Sequence, residues 1–300
     1  MPDAPASRQD HLYGGQAVIE GVMMRGVDHW AVAVRKPSGS IHLESHDIRP
    51  IARRFPILGK PLIRGIVVLG QSLSIGYRAL SVSARESSDD DVRVSGVQMG
   101  LSVALALVVF VGIFLAGPAA LFKWVQDRVG SGFVVNILEG VFRVAIFVGY
   151  LLLVGRTKDI HRVFEYHGAE HKTIAAFEHD EPLEPERVDH YSTVHVRCGT
   201  NFLIIVMIIT IFVFALFGTP GLWWRIASRL IAIPAVAAVA YEALRLGARF
   251  PHSVAMRALM APGLWLQKIT TQKPDRGEID VAIASFEEVL RRERLAGSLN

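Results

Sequence analysis

Long uncharged apolar stretches occupy the middle of the chain. The first runs from Val97 to Phe122 and exceeds the roughly 20 residues that a helix needs to cross a bilayer. The others run from Phe133 to Gly155, from about Phe202 to Phe217 and from about Ile226 to Leu246. The pattern therefore predicts four transmembrane helices, grouped as 97–155 and 202–246, with 156–201 as the connection between the two pairs.

The apolar stretch before these spans is shorter. Gly65 to Tyr77 carries no charge but is only about 13 residues long, which favours an interfacial or re-entrant helix over a span. We assign 61–96 to this helix and a polar linker after it. The basic run from Arg49 to Arg64 has no aromatic residue for base stacking beyond Phe55, so a membrane-surface contact is expected and a nucleic acid partner is not.

The two ends of the chain are more polar. Residues 1–12 are predicted to be a disordered tail. Alternation in 30–35 and 41–48 around the turn 36–40 predicts a hairpin and, over 13–60, a small β-rich cytosolic domain. Residues 247–300 predict an interfacial segment around Trp265 and a cytosolic C-terminal helix from Ile279 to Leu295. The predicted fold is an α-helical membrane protein with about four transmembrane helices plus a small cytosolic α+β portion.

Composition and charge agree with a membrane protein and predict its orientation. Hydrophobic residues make up 51% of the 300 residues, and the mean hydropathy is +0.34. The long connection 156–201 holds six lysines and arginines, whereas the two short connections between spans hold only Lys123, Arg128 and Arg225. Positive residues stay in the cytosol, so the long connection and both termini are expected to be cytosolic.

That long connection contains the first candidate chemistry. His167, Glu170 and His171 are spaced to share one face of a helix. Two imidazoles and a carboxylate on one face present a divalent metal and a general base together, and the spacing is that of the inverted zinc-peptidase signature. The alternative interpretation is the solvated face of an amphipathic helix.

A second cluster lies just before the third span. His195 and Cys198 suit a borderline-soft metal, and Cys198 is the only cysteine in the chain, so an internal disulfide is excluded. Thr200 is placed to cap the helix that follows, whose dipole favours the thiolate of Cys198. Cys198 is thus a ligand, a nucleophile or a small apolar filler.

Other charged residues are candidates for supporting roles. Glu242 is a candidate third ligand, although an interfacial salt bridge with Arg245 or Arg249 is the favoured interpretation. Glu178 and Glu20 are further acidic candidates for the site. Inside the second span, Glu139 and Arg143 are expected to pair in the bundle interior, as a structural pair.

Four motifs in this order look like the YqhQ-like family of bacterial membrane proteins. They are 14–26, Tyr166 to Thr173, His195 to Thr200 and Pro262 to Gln267, and the resemblance covers Tyr13 to Leu290. The family is described as uncharacterised and as a predicted metal-dependent enzyme. The resemblance implies a multi-pass protein of the bacterial cytoplasmic membrane, with the family's histidine and cysteine motifs on His167, Glu170, His171, His195 and Cys198.

These observations predict a metal-dependent, membrane-bound hydrolase with its site on the cytosolic face. His167, His171, His195 and Cys198 would bind a divalent metal, zinc above others, and Glu170 would be the general base acting on a peptide, lipid or phosphoester bond. Four protein ligands would instead close the site, as in a structural site of a non-enzymatic, homo-oligomeric membrane scaffold. A third alternative has Cys198 as nucleophile with His171 or His195 as base. A transporter is disfavoured because the spans lack a chain of ionisable residues.

Overall fold

The computed structural model describes residues 13–48, 55–88, 95–129, 132–196, 198–216, 221–250 and 253–297. The tail predicted over 1–12 lies outside these ranges. The strands are β1 (Gly14–Val18), β2 (Gly21–Arg25), β3 (His29–Arg35) and β4 (Ile41–Asp47). The helices are α1 (Ile63–Glu86), α2 (Gly96–Val111), α3 (Gly117–Val129), α4 (Gly132–Val154), α5 (Lys158–Glu178), α6 (Pro185–Val188), α7 (Gly199–Leu216), α8 (Leu222–Arg249), α9 (Val254–Thr270) and α10 (Arg276–Leu295). A π-helical turn, Gly112–Ala116, joins α2 to α3 without a break.

The four strands form one antiparallel sheet in the order β1-β2-β3-β4. The predicted hairpin is confirmed, with Arg35 opposite Ile41 and His29 opposite Asp47. Its turn is closed by the Lys36 amide, which donates to the Ser40 carbonyl at 2.9 Å. Gly39 adopts φ of 85° there, a backbone conformation that glycine reaches without a Cβ penalty.

Both faces of the sheet are covered by helices. On one face, Val22, Met24, Ala31 and Ala33 are buried together with side chains of α5 and α10. A trio of edge-to-face rings, Tyr13, Phe177 and Phe286, with centroids 5.0 to 5.3 Å apart, belongs to this core. Because alternate strand residues point to opposite faces, Met23, Trp30, Val32 and Val34 form a second core with α1.

Four of the described helical segments are long and apolar enough to cross a membrane. They are Ile63–Glu86, Gly96–Arg128, Gly132–Val154 and Leu222–Leu246, while Gly199–Ala215 is apolar but shorter. The chain is therefore an α-helical membrane protein with a small antiparallel sheet near its N-terminus. The spans predicted at 97–122, 133–155 and 226–246 coincide with long helices, and the one predicted at 202–217 falls on the shorter α7.

The prediction of a short interfacial helix at 65–77 is wrong in extent. α1 is one helix of 24 residues, and it includes the start of the segment that we assigned to a polar linker. Arg78, which ends the apolar stretch, and Arg85 are both exposed on α1, so they leave the buried face of Ile75, Ala79 and Val82 uninterrupted. The remainder of that linker, 89–94, lies outside the described residues.

α1 connects the sheet to the helical bundle. Its first turn packs on α8, where a Cβ added to Gly65 would lie 3.0 Å from the Cα atom of Ala238. There Arg64 Nε donates to Glu242 Oε1 at 2.8 Å. Glu242 is thus paired with a residue 178 positions away, a partner that neither sequence interpretation of this carboxylate includes.

The predicted pairing of Glu139 with Arg143 inside the bundle is confirmed, and a third residue joins it. Arg229 of α8 donates to both carboxylate oxygens of Glu139, at 2.8 and 2.9 Å. Glu139 and Arg229 are 1% and 4% exposed. Charges removed from water to this degree are stable only when they are paired, so the cluster ties α4 to α8.

Candidate metal centre

The histidines of the first motif lie on α5, which packs closely against the segment that follows α9. A Cβ on Gly168 would collide with the Gln272 carbonyl oxygen, and the Gln272 amide donates to the Phe164 carbonyl at 2.9 Å. Position 168, directly after His167, therefore requires glycine, the residue without a Cβ atom. This close approach brings backbone carbonyls of neighbouring segments within reach of both imidazoles.

Each imidazole donates one hydrogen bond to a backbone carbonyl. His167 Nδ1 lies 2.8 Å from the Thr270 oxygen, and His171 Nδ1 lies 2.5 Å from the Thr193 oxygen. A carbonyl only accepts, so each Nδ1 carries the hydrogen in the neutral ring, which leaves the lone pair on Nε2. This arrangement fixes the ring of a histidine that binds metal through its other nitrogen.

Cys198 lies opposite the two rings. Its thiol donates to His167 Nε2 at 3.2 Å, and its sulfur accepts from the Thr200 amide at 3.4 Å and from the Thr200 hydroxyl at 3.2 Å. Thr200 is thus in the first turn of α7 as a donor to sulfur, and the prediction that it caps the helix is wrong. One ligand atom from each of His167, His171 and Cys198 lies within 4.8 Å of the other two.

The donor set fits a divalent metal on one further observation. His171 is 1% exposed, and its Nε2 has no hydrogen-bond partner among the described residues. Burial lowers the pKa of His171, an effect that the Cys198 thiol only partly opposes, so the ring is neutral and its lone pair is available. Two imidazole nitrogens and one sulfur are donors that zinc and similar ions prefer.

Glu170 lies on the sheet side of α5. Its side chain is buried against β1, where a Cβ on Gly15 would come within 2.8 Å of the Glu170 carboxyl carbon. Burial raises the pKa of Glu170, while His167, His195 and the Gly15 amide lower it in part. The N-terminal glycine motif therefore meets the histidine motif here, which the spacing within either motif does not reveal.

His195 is close to the centre but has a different partner. Its Nε2 donates to Glu178 Oε2 at 3.0 Å, and its ring centroid is 5.9 Å from that of His171. The structure thus brings together three of the four predicted ligands, and it places His195 and Glu178 beside them as a hydrogen-bonded pair. Glu20, in the turn between β1 and β2, lies away from the cluster, beside the start of α5, where Arg162 donates to its two oxygens at 2.6 and 2.5 Å.

The loop that carries His195 and Cys198 is held by a residue that sequence reasoning left without a role. Gln267 of α9 accepts from the His195 amide at 2.8 Å and donates to the His195 carbonyl at 3.0 Å. It also donates to Asn201 Oδ1 at 3.2 Å, and Asn201 in turn donates to the Val196 carbonyl at 2.7 Å. Gln267 ends the motif Pro262 to Gln267, which is the signal that pointed to it.

Fold and site define a multi-span membrane protein with a largely buried cluster of two histidines and one cysteine in the long connection between its spans. The family described as "Protein of unknown function (DUF1385)" matches residues 60–292, and the chain belongs to that family. The chain is similar to the uncharacterized protein YqhQ of Bacillus subtilis (strain 168), with 33% identity over 298 residues, covering 95% of this chain and 94% of that protein. The resemblance noted in the sequence is thereby confirmed. No solved structure matches the chain.

Proposed function

We propose that this protein is a metal-dependent, membrane-bound hydrolase whose metal is held by His167, His171 and Cys198. The observation that carries the proposal is the direction of the two imidazoles. Both Nδ1 atoms are engaged by backbone carbonyls, so both Nε2 atoms face one centre, where that of His167 contacts the Cys198 sulfur. Three protein ligands leave a coordination position for water or substrate, as in catalytic zinc sites.

When bound, zinc or a similar ion supplies Lewis-acid activation of water and of a carbonyl or phosphoryl oxygen. The chain supplies the remaining groups. Glu170 is the proposed general base, since it is the buried carboxylate that lies between the two histidines in sequence. The His195 and Glu178 pair lies on the His171 side of the cluster and would orient the substrate or complete the ligand set.

The position of the metal site in the chain indicates where the proposed reaction takes place. Cys198 directly precedes α7, and α5 begins four residues after α4 ends, so the site is tethered close to the bilayer surface. The basic residues of the long connection favour the cytosolic side. The substrate would accordingly be a peptide, lipid or phosphoester bond near the cytosolic face of the membrane. A fluorescent protein and alkaline phosphatase fused in turn to the C-terminus test this orientation, because the former fluoresces in the cytosol and the latter is active only outside it.

A second candidate function is favoured by the number of elements that meet at the cluster. His167 and His171 on α5, Cys198 before α7, and the carbonyls of Thr193 and Thr270 all converge there. Binding several segments together is what structural metal sites do. In that case the protein is a non-enzymatic membrane scaffold, able to form homo-oligomers. Rotation of His195 away from Glu178 would then supply a fourth ligand and close the coordination of the metal.

Elemental analysis of detergent-purified protein tests the metal site. His171→Asn keeps an amide nitrogen for the Thr193 carbonyl and removes the Nε2 ligand atom, so metal is lost with little change in packing. His161→Asn, on the same helix with a 48% exposed side chain, is the matched control and should retain about one ion per chain. Wild-type protein that contains no metal after purification without chelators contradicts both functions.

Catalytic and structural sites respond differently to two further changes. Glu170→Gln should keep the metal and abolish hydrolysis if the site is catalytic, with a screen of peptide, lipid and phosphoester substrates as the assay. Removal of metal by a chelator should lower the melting temperature strongly if the site is structural, because binding then contributes to folding. Retention of metal in His195→Ala would indicate an open site and favour the hydrolase.

A further inference from the structure

A large groove lies on the other side of the sheet from the metal centre. It has a volume of about 690 Å³ and runs between one edge of the sheet and the middle of α1. The sheet contributes Trp30 and Ile48, the turn before α1 contributes Leu58, and α1 contributes a line of residues from Ile66 to Arg78. Trp30 belongs to the core on the α1 face, whereas α5 packs on the opposite face, so the groove is separate from the histidine and cysteine cluster.

One end of the groove is apolar and lies beside a membrane helix. Leu58, Ile66 and Val67 line this end. Large apolar side chains of the same region are exposed, among them Phe55 at 50%, Ile57 at 58% and Leu62 at 50%. Exposed apolar residues grouped in this way mark a membrane or interaction surface. Because Gly65 of the same region contacts α8, a candidate span, we take this end of the groove as the end that faces the membrane.

The other end of the groove is polar, and its lining includes one arginine, one histidine and one aspartate. Arg78 is exposed and makes no hydrogen bond or ion pair with any residue that the structure describes. His46, stacked on Trp30 with ring centroids 4.5 Å apart, lies at the same end, where it also contacts Glu44. Asp47 lines this end too but is 3.5 Å from His29, with which it forms an ion pair when that ring is protonated. The guanidinium of Arg78 is thus available to an anion.

The separation of the two ends matches one lipid molecule. Ile66 and Arg78 are twelve residues apart on α1, which corresponds to about 18 Å along a helix. Half of a bilayer's hydrocarbon core is about 15 Å thick. The groove is apolar toward the membrane, has an exposed arginine about one leaflet away and measures several hundred Å³. These are the dimensions and polarity of a phospholipid site.

We propose that this groove binds one anionic phospholipid, with an acyl chain against Leu58 and Ile66 and the headgroup phosphate at Arg78. The lipid would fill the corner between α1 and the sheet and hold the sheet at the membrane surface. This inference is independent of metal binding, because no ligand of the metal centre lines the groove.

The test is lipid binding by the full-length, delipidated protein in detergent, measured by native mass spectrometry. The probes are dioleoyl phosphatidylglycerol and dioleoyl phosphatidylcholine, which share their chains and differ in headgroup charge. Wild type should bind one phosphatidylglycerol about fivefold more tightly than phosphatidylcholine, as one arginine at a membrane surface provides. Arg78→Gln should remove this preference and leave phosphatidylcholine binding unchanged.

A blocking variant tests the position of the chain. A Cβ added to Gly70, which lines the groove, meets nothing within 4 Å, so Gly70→Leu extends into the groove without disturbing the fold. It should weaken phosphatidylglycerol binding about tenfold, as loss of about two buried methylenes does. Gly149→Leu is the control, since Gly149 is also an exposed helical glycine with open space around it but lies on α4. Ser74→Leu, also in the groove, replaces Gly70→Leu if that variant does not fold.

Three results would overturn the proposal. The first is equal affinity of wild type for the two lipids, and the second is unchanged phosphatidylglycerol binding in both blocking variants. The third is displacement of the lipid by millimolar inorganic phosphate alone, which would assign the site to a free anion. Chelator treatment should leave lipid binding unchanged, so failure of the metal proposal and failure of this one are distinguishable.

Discussion

Replacement of one buried carboxylate should make the protein more stable at neutral and alkaline pH. Glu278, in the first turn of α10, is 2% exposed. Its Oε2 accepts from the Asp275 amide at 2.9 Å, and its own amide donates to Asp275 Oδ1 at 2.8 Å. Burial raises the pKa of Glu278 from 4.5 to about 7. Glu278→Gln keeps an oxygen for the Asp275 amide and cannot ionise.

The sign and size follow from the pKa. The folded state binds the Glu278 proton more tightly than the unfolded chain, so this contribution to stability is fully present below pH 4.5 and is lost as the pH rises through 7. A shift of this size at about 1.4 kcal/mol per pKa unit gives an upper bound of about 3 kcal/mol in the free energy of unfolding. Glu278→Gln should therefore raise the melting temperature by several degrees at pH 8 and change it little at pH 4.5.

The assay is thermal unfolding in detergent from pH 4 to pH 8, with a variant of opposite sign on the same helix. Hydrogen bonds from Arg291, Ser45 and Arg292 lower the pKa of Glu288 to about 2. Its contribution to stability is present above pH 4.5 and is lost as the pH falls toward 2, so Glu288→Gln should destabilise at pH 7 and lose that effect in acid. A melting temperature of Glu278→Gln at or below that of wild type at pH 8 refutes the reasoning, as does an equal increase at both pH values.

Two further predictions concern packing. Gly168→Ala should shift α5 away from the Gln272 carbonyl, which should lower the free energy of unfolding by about 1–3 kcal/mol and lower the metal content. Gly199→Ala is the control, since a Cβ there has open space, and it should change neither stability nor metal content. Melting temperature measures the first effect and elemental analysis the second. Glu139→Gln should lower the melting temperature in detergent more than Arg229→Met, because the former leaves two guanidiniums without their shared carboxylate while the latter keeps the Glu139 to Arg143 pair. The reverse order would show that Arg229 contributes through packing.

The periodicity of apolar residues predicts a helix or strand correctly where the same hydropathy pattern continues along the whole element. It predicted the hairpin of β3 and β4, three long apolar helices and the C-terminal helix, because each keeps one hydropathy pattern along its whole length. It failed for α1, whose first turns pack on a membrane helix and whose later turns pack on the sheet. Two environments along one helix produce no single hydropathy signal.

The candidate site was predictable only where side-chain identity carries the information. Helical spacing predicts that His167 lies beside His171. The residue types of Cys198 and His195 predict that they are metal ligands, and Cys198 does lie beside the two histidines. The carbonyls of Thr193 and Thr270 that fix the rings have no sequence signature, since every residue supplies one. The partner of Glu242 was missed because its nearest arginines in sequence were considered and Arg64, on α1, was not.

The covering of the sheet by α10 has a consequence for biosynthesis. The last strand ends at Asp47, but α10, which together with α5 covers one face of the sheet, begins at Arg276. At ribosomal speeds, the intervening stretch of about 230 residues takes roughly 10 to 50 s to make. During that interval Val22, Met24, Ala31 and Ala33 lack their final cover, while the spans emerge and insert. The sheet domain is thus the last part to be completed, and truncation before α10 should leave an inserted but aggregation-prone chain.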